Sequence, residues 1–141
     1  MAHKDLRLIF GVAALLGIYA IGSFALQTLE PSVKGRQSDA RQTLVKRGQE
    51  LTENCTACHY MDQKANFVGP HLVGLIGRPI ADVSDFEYSP AVRKLSGSWT
   101  EARLTEFLTA PQRYAPGTKM ALQGWAAEDA KAIAAYFESR N

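Results

Sequence analysis

This sequence is poor in cysteine, carries no large excess of charge and shows little of the alternating pattern that predicts β-strands. Only two of its 141 residues are cysteines, Cys55 and Cys58, within one short motif. So close a pair cannot join distant parts of a fold, which excludes a disulfide scaffold. The formal net charge of +2 argues against a nucleic-acid-binding protein, because such proteins carry a basic face or stripe.

The length and composition suit one folded domain with an appendage, since domains commonly run to about 100–150 residues. Hydrophobic residues make up 46% and charged residues 21% of the chain, which is ordinary for a folded protein. Much of the apolar share, however, lies in a single run near the N-terminus. We therefore predict one globular domain at residues 45–141, preceded by segments of a different kind.

The apolar run covers residues 8–26, LIFGVAALLGIYAIGSFAL, and contains no charged residue. About twenty such residues span a bilayer as a helix, so the run predicts a single transmembrane helix. Lys4 and Arg7 precede it, and basic residues favour the cytoplasmic side of a membrane. We therefore expect residues 1–7 in the cytoplasm and the domain on the periplasmic side of a bacterial inner membrane.

A cleaved signal peptide is the main alternative for this run, because Ser23-Phe24-Ala25 has the small-x-small pattern of a cleavage site. Signal peptides usually have an apolar stretch of about 7–15 residues, which is shorter than this one. A retained anchor is therefore favoured. A buried soluble helix fits less well, since the run has no polar face at helical spacing.

Residues 27–44 mix charge, Ser and Gln with no sustained apolar period, which predicts a flexible linker. An alternative is that the following helix extends backwards as far as Asp39 and shortens the linker.

The rest of the chain predicts an all-α fold of short helices and long loops. Expected helices cover Lys46 to Cys55, Glu101 to Ala110 with Thr100 as N-cap, and Glu128 to Ser139. The last helix has an apolar stripe made of Ala132, Ile133, Tyr136 and Phe137. Gly- and Pro-rich stretches, GPHLVGLIGRPI and APQRYAPGTKM, separate the helices as loops. Loops of that length in a small domain need a packing partner, and a cofactor would supply one.

The sequence Cys55-Thr56-Ala57-Cys58-His59 has the C-x-x-C-H pattern of covalent c-type haem attachment. Two thiols at this spacing add to the two vinyl groups of the porphyrin, and the next residue places an imidazole at the iron. The cofactor predicted from this motif is one haem c, bound covalently through Cys55 and Cys58.

Three other interpretations of the motif fit less well. A thioredoxin-type redox pair should follow a strand in a βαβ unit, and none is predicted. A zinc site needs about four ligands, and the chain offers no second cysteine pair. A structural disulfide over two intervening residues would add little stability.

The sixth position of the iron has four candidate ligands: Met61, Met120, His71 and His3. Met61 is too close to His59 to reach the other face of the ring, and His3 precedes the anchor. Met120 follows the Pro/Gly loop YAPGTK, and such a loop can deliver a thioether to the opposite face. Met120 is therefore favoured, and His71 is the alternative.

Residues 45–141 resemble a class I c-type cytochrome of the mitochondrial type, and the anchor suggests its membrane-anchored bacterial forms. The segments that carry the resemblance are CTACH, GPHLVGLIGR, Trp99-Thr100-Glu101 at a helix start, YAPGTKM and the terminal Ile133-Ala134-Ala135-Tyr136-Phe137.

This resemblance implies a role for each matching residue. His59 is the proximal ligand and donates from its other ring nitrogen to the carbonyl of Pro70. Met120 is the distal ligand, and Thr118 supports the haem or Met120 through its hydroxyl. Three residues are expected near the haem propionates: Arg78, Tyr88 and Trp99.

The sequence departs from the family pattern at three positions near the haem. Val92 replaces a common Asn, Phe107 replaces a Tyr that hydrogen-bonds toward the Met sulfur, and Leu122 replaces a Phe. We expect these changes to adjust the redox potential and the strength of the Met bond.

The resemblance implies an electron-transfer protein, with no enzymatic activity and no small-molecule substrate. Expected partners are the membrane, a cytochrome bc complex as electron donor and a cytochrome c oxidase as acceptor in respiration. One alternative is a haem subunit dedicated to a periplasmic dehydrogenase. A small peroxidase or gas sensor would require an open sixth site, and a zinc or structural module would carry no haem.

Overall fold

The computed structural model of this protein describes residues 33–141. The chain divides into two compact units, Met1–Ala40 and Arg41–Asn141. In the first unit, residues 33–40 are helical with exposed side chains, and the hydroxyl of Ser38 donates to the carbonyl oxygen of Gly35 over 2.7 Å.

The described residues form helices joined by long loops, as the sequence predicts. Helix α1 covers residues 33–52 and continues into a 3₁₀ turn at Glu53–Ala57. The remaining helices are α2 (Pro90–Arg93), α3 (Glu101–Thr109), α4 (Pro111–Tyr114) and α5 (Ala127–Ser139). Within residues 33–141 there is no strand, and the one isolated antiparallel bridge joins Pro79 to Ser98. The all-α prediction is confirmed for this part of the chain.

Local sequence explains where α3 and the two shortest helices begin. Thr100 is the N-cap of α3, as predicted, and its hydroxyl accepts from the backbone N–H of Arg103 over 3.2 Å. Glu101 in the first turn also interacts favourably with the helix dipole. Helices α2 and α4 both start at a proline, whose missing N–H needs no partner in the first turn.

The core lies where α3 packs on α5. Helix α5 buries Ile133 and Phe137 of its predicted stripe, together with several alanines that are fully inaccessible. Alanine has the highest helix propensity, and its small side chain lets another helix approach closely. The buried residues of α3 are Leu104, Phe107 and Leu108. Val92 of α2 and five loop residues complete the core: Leu75, Ile76, Ile80, Trp99 and Ala115.

Helix α1 meets α5 at a position that only glycine can occupy. A Cβ atom added to Gly48 would overlap the backbone carbonyl of Ala132. Beside this crossing, Arg47 donates from Nε to the Oδ1 atom of Asp129 over 2.7 Å. Arg41 contacts Glu101 of α3 through two hydrogen bonds of 2.9 and 2.8 Å. The glycine and the two ion pairs together fix residues 41–52 on the domain.

Residues 33–44, which are part of the predicted flexible linker, are helical. The alternative, a backward extension of the first helix, is therefore the structure that forms, and it begins earlier than Asp39. The segment has good helix formers and no proline after Pro31. Residues 27–32 of the predicted linker lie outside the described residues.

None of the helices within residues 33–141 combines the length and the hydropathy that crossing a membrane requires. The predicted anchor at residues 8–26 and the predicted cytoplasmic segment at 1–7 lie outside the described residues. Both stay predictions.

Candidate functional site

The cysteine motif lies on the 3₁₀ turn that ends α1. The carbonyl oxygen of Cys55 accepts from the backbone N–H groups of both Cys58 (3.0 Å) and His59 (2.9 Å). One tight turn therefore holds the two thiols and the imidazole together. Both cysteines are free, with Cys55 partly buried and Cys58 exposed. Burial raises the pKa of the Cys55 thiol, and the neighbouring Cys58 adds a smaller effect in the same direction.

The His59 ring is held by the backbone of the following loop. Its Nδ1 atom lies 2.6 Å from the carbonyl oxygen of Pro70. Because a carbonyl only accepts, Nδ1 must carry the proton, which leaves the lone pair of Nε2 free to bind a metal. Burial lowers the pKa of His59, and the Pro70 hydrogen bond opposes that change in part. The ring is thus kept neutral and fixed in the tautomer that a ligand needs.

Gly69 is a site residue that the sequence motifs did not indicate. A Cβ atom at this position would lie 2.6 Å from Nδ1 of His59 and closer still to Cε1. Its backbone N–H donates to the carbonyl of Cys58 over 2.8 Å, which ties the loop to the cysteine turn. Pro70 is predicted as the acceptor of the His59 hydrogen bond, but Gly69 before it is interpreted only as part of a loop, although a glycine next to a backbone acceptor also indicates close approach.

Met120 lies in the loop after α4 and is partly buried against the core. Its backbone N–H donates to the hydroxyl of Thr118 over 3.3 Å. Thr118 itself is buried, and its N–H donates to the carbonyl of Ala115 over 2.9 Å. The Thr118 hydroxyl therefore contacts the backbone of Met120 and holds the local turn.

Arg78 and Trp99, two residues expected near the propionates, are brought together by the isolated bridge. The N–H of Trp99 donates to the carbonyl of Arg78 over 2.9 Å, next to the bridge between Pro79 and Ser98. Trp99 is buried, and its ring centroid lies 5.3 Å from that of Phe107. The pairing places the arginine backbone against the edge of the core.

The Arg78 guanidinium is half-buried among neutral acceptors. It donates to the carbonyl oxygens of His71 (2.9 Å) and Val73 (3.1 Å) and lies 3.2 Å from Nδ1 of His71. Burial lowers the pKa of Arg78, and the nearby Tyr88 and Asp82 oppose this. Among the described residues, the salt bridges involve other arginines. This cation is suited to an anionic group.

Tyr88 is partly buried, and its ring meets Phe86 edge to face with centroids 4.9 Å apart. Burial raises the pKa of its hydroxyl, partly offset by a hydrogen bond with the backbone of Val83. The phenol is therefore protonated at neutral pH and can donate a hydrogen bond. His71, the alternative ligand, is engaged with Arg78 in this structure, and burial and the arginine charge lower its pKa.

The chemistry of these donors fits a covalently bound haem. The site offers two free thiols, a neutral imidazole with an open Nε2, a thioether, and a half-buried cation for a propionate. Partly buried apolar side chains border the core and provide apolar surface for a porphyrin, among them Leu72, Leu122 and Trp125. No three His, Cys, Asp or Glu side chains in the described part of the chain form a metal-ion cluster.

Comparisons with known proteins agree with this chemistry. The sequence profile of the Cytochrome c family matches residues 45–141. A "Cytochrome c homolog" of Rickettsia felis is 46% identical over 78 residues, which cover 55% of this chain and 45% of that protein. A "Cytochrome c-type cyt cy" of Rhodobacter capsulatus is 47% identical over 92 residues, which cover 63% of this chain and 46% of that one. The match thus spans less than half the length of these relatives.

A solved structure, cytochrome cH from Methylobacterium extorquens, superposes with a TM-score of 0.62 and 30% identity. The superposition covers 67% of this chain and 97% of that one. The family profile takes in the cysteine turn, His59 and the loop that carries Met120. Residues 45–141 thus make this chain a member of the cytochrome c family, whose members carry one covalently bound haem c.

Proposed function

We propose that this protein is a membrane-tethered, single-haem electron carrier in which His59 and Met120 would hold the haem iron. When bound, haem c supplies one-electron redox chemistry at its iron. His59 would hold the iron through Nε2, Met120 would supply a thioether as the second protein ligand, and Arg78, Tyr88 and Trp99 would hold the propionates. Two permanent ligands suit electron transfer, because little rearranges when one electron arrives.

The observation that carries this proposal is the hydrogen bond between Nδ1 of His59 and the carbonyl of Pro70. It fixes the imidazole as a neutral ligand, while Gly69 prevents any side chain from displacing the ring. The second proposed ligand, Met120, lies in a loop whose turn is held by the buried Thr118. Membership of the cytochrome c family supports both roles.

The ligation is tested by the optical spectrum of the full-length chain, produced in a host that matures c-type cytochromes. The ferric protein should show the weak near-infrared band of a Met sulfur bound to haem iron. That band should vanish in Met120→Ala and persist in Met61→Ala, a matched control because Met61 is also partly buried at the core. A band that survives in Met120→Ala would exclude Met120. Haem without the band in wild type would favour His71 or an open site.

The tether is supported by the uncharged run at residues 8–26 and by Lys4 and Arg7 before it. We infer that the haem domain works on the periplasmic side of the inner membrane. Membrane fractionation should find the full-length chain in the membrane and a form without residues 1–26, exported with a separate signal peptide, in the soluble periplasm. Protease added to intact spheroplasts should remove the haem domain. A full-length chain that is soluble, or a mature N-terminus after residue 25, would contradict the anchor.

We infer that the electron donor is a cytochrome bc complex and the acceptor a cytochrome c oxidase. The near-neutral charge and the tether support this, since a high local concentration replaces long-range electrostatic steering. Quinol-driven oxygen consumption in membranes should fall when the chain is deleted and return with the wild-type chain. Unchanged respiration, with co-purification of one dehydrogenase, would favour the dedicated-subunit alternative.

A further inference from the structure

The loop that carries Met120 is held by hydrogen bonds from Gln112 of α4 and from its own Thr118. Gln112 donates from Nε2 to the carbonyl of Thr118 over 3.0 Å, and its Oε1 accepts from the N–H of Gly117 over 3.4 Å. The hydroxyl of Thr118 accepts from the N–H of Met120. These bonds join α4 to Met120 as one unit, so the position of the unit depends on where α4 is attached to the rest of the domain.

Tyr114, the last residue of α4, attaches this unit to α3. Its hydroxyl accepts a hydrogen bond from Nε of Arg103 over 3.1 Å. Its ring meets Phe107 edge to face, with centroids 5.7 Å apart. Arg103 and Phe107 lie one turn apart on α3, so the ring and the hydroxyl of Tyr114 are held by the same face of that helix.

The backbone leaves space for Arg103 by means of a glycine. Gly97 has a φ of +83°, and a Cβ atom there would lie 2.6 Å from Nη1 of Arg103. The same Nη1 donates to the carbonyl of Ser98 over 3.4 Å. The guanidinium is thus held between the 97–98 turn and Tyr114, and the partners on both sides are neutral oxygens. A charged donor makes a stronger bond to such an oxygen than a neutral donor makes.

We propose that Arg103 is a positioning residue for Met120. It holds Tyr114, Tyr114 holds the braced loop, and the loop keeps the thioether at the iron. The inference rests on the proposed His59/Met120 ligation and adds a residue outside the motifs that match the family. Removal of the Arg103–Tyr114 hydrogen bond makes opening of the loop more frequent without removing any ligand.

The test is the rate at which imidazole binds to the ferric, full-length protein, because an external ligand binds only after Met120 leaves the iron. Arg103→Leu and Tyr114→Phe should each raise this rate about tenfold, as expected for loss of a charge-assisted hydrogen bond. The double variant should be no faster than the faster single variant, since both changes remove one interaction. Arg113→Leu is the matched control, because Arg113 is an exposed arginine next to Tyr114, and its rate should equal that of wild type.

A general loss of stability is distinguished by Leu104→Ala, which weakens the core of α3 without touching the hydrogen bond. Unfolding in guanidinium is measured for every variant. The inference would be overturned if, for the same loss of stability, the imidazole rate rose as much in Leu104→Ala as in Tyr114→Phe. It would also be overturned if Tyr114→Phe bound imidazole at the wild-type rate. Tyr114→Phe keeps the ring, so it gives a result even if Arg103→Leu fails to fold. Absence of the near-infrared band in wild type would instead refute the proposed ligation itself.

Discussion

Gly69 lies directly against the imidazole of His59, in the loop whose next residue, Pro70, accepts the hydrogen bond from Nδ1. The backbone of these two adjacent residues therefore holds the ring without help from another side chain. The close approach fixes the ring in space, and the carbonyl fixes which nitrogen carries the proton.

A methyl group at position 69 should disrupt this arrangement. Gly69→Ala places a Cβ within overlap distance of the His59 ring, so the ring or the loop must move. We expect a loss of about 2–3 kcal/mol in the free energy of unfolding and a lower yield of haem-bearing protein. Gly35→Ala is the control, because no atom lies within 4 Å of its Cβ and alanine favours a helix. Equal haem yield and stability in the two variants would contradict this account of Gly69.

The crossing of α1 and α5 should be equally intolerant of a side chain. In Gly48→Ala the new methyl group meets the backbone of Ala132, which cannot rotate away as a flexible side chain can. The free energy of unfolding, from guanidinium titration, should fall by about 3 kcal/mol. The exposed Gly35→Ala again serves as control. A loss below about 1 kcal/mol would mean that the helices separate easily at this point.

The Arg41–Glu101 pair makes a pH-dependent contribution to stability. The hydrogen bond from Arg41 lowers the pKa of Glu101. The pair therefore stabilises the native state above the ordinary glutamate pKa of about 4.3, and this contribution is lost as the pH falls through the lowered pKa of the folded state. Because both side chains are partly exposed, we expect about 0.5–1 kcal/mol at neutral pH.

Urea unfolding of wild type, Arg41→Ala, Glu101→Gln and the double variant gives the coupling energy directly. It should shrink in high salt, and it should fall as the pH drops below about 4.3 and the Glu101 carboxyl takes up a proton. Lys46→Ala, an exposed cation of the same helix, is the control. A coupling energy that does not change with pH would contradict the ion-pair explanation.

His71 should titrate below the ordinary histidine pKa of about 6.5. Burial is the main cause, and the charges of Arg78 and Lys64 add to it, whereas Asp85 opposes it. The fold therefore favours the neutral ring, so His71 destabilises the native state as the pH falls below about 6.5 and has no such effect above it. The midpoint is measurable by NMR in the reduced protein.

Charge variants separate these causes at His71. Arg78→Gln should raise the His71 pKa, Lys64→Gln should raise it less, and Asp85→Asn should lower it further. If Arg78→Gln left the midpoint unchanged, the contact of 3.2 Å between Nη1 and Nδ1 would have no electrostatic effect on the ring.

Much of the fold follows from local signals that sequence carries. Thr100 precedes a helix and has a side chain that caps it, and the apolar spacing in α5 matches the face that the structure buries. The helical state of residues 33–44 was harder to predict, because their mixed polar composition suits a linker or an exposed helix equally well. The contact that anchors the adjoining residues, Arg41 with Glu101, joins positions 60 apart. Single-sequence periodicity contains no information on such a pair.

The candidate site likewise contains residues that the sequence predicts and residues that it does not. Cys55, Cys58 and His59 form one local motif whose spacing predicts covalent haem attachment. The role of Arg103 depends on a tyrosine in another helix and on a glycine that makes room for it, and each of the three is ordinary when considered alone. Gly69 lies between these cases, since its neighbour Pro70 was singled out but the close approach to His59 was not.

The close packing of Gly48 on Ala132 also means that α1 can reach its final position only when α5 is present. The neighbouring pair, Arg47 and Asp129, stands 82 positions apart, so closing α1 onto α5 comes after the intervening chain has been made. A nascent chain that stops before α5 lacks the surface on which α1 packs. Cys55 and Cys58 lie between the two helices in sequence, so the thiols belong to the segment that closes only when α5 packs on α1.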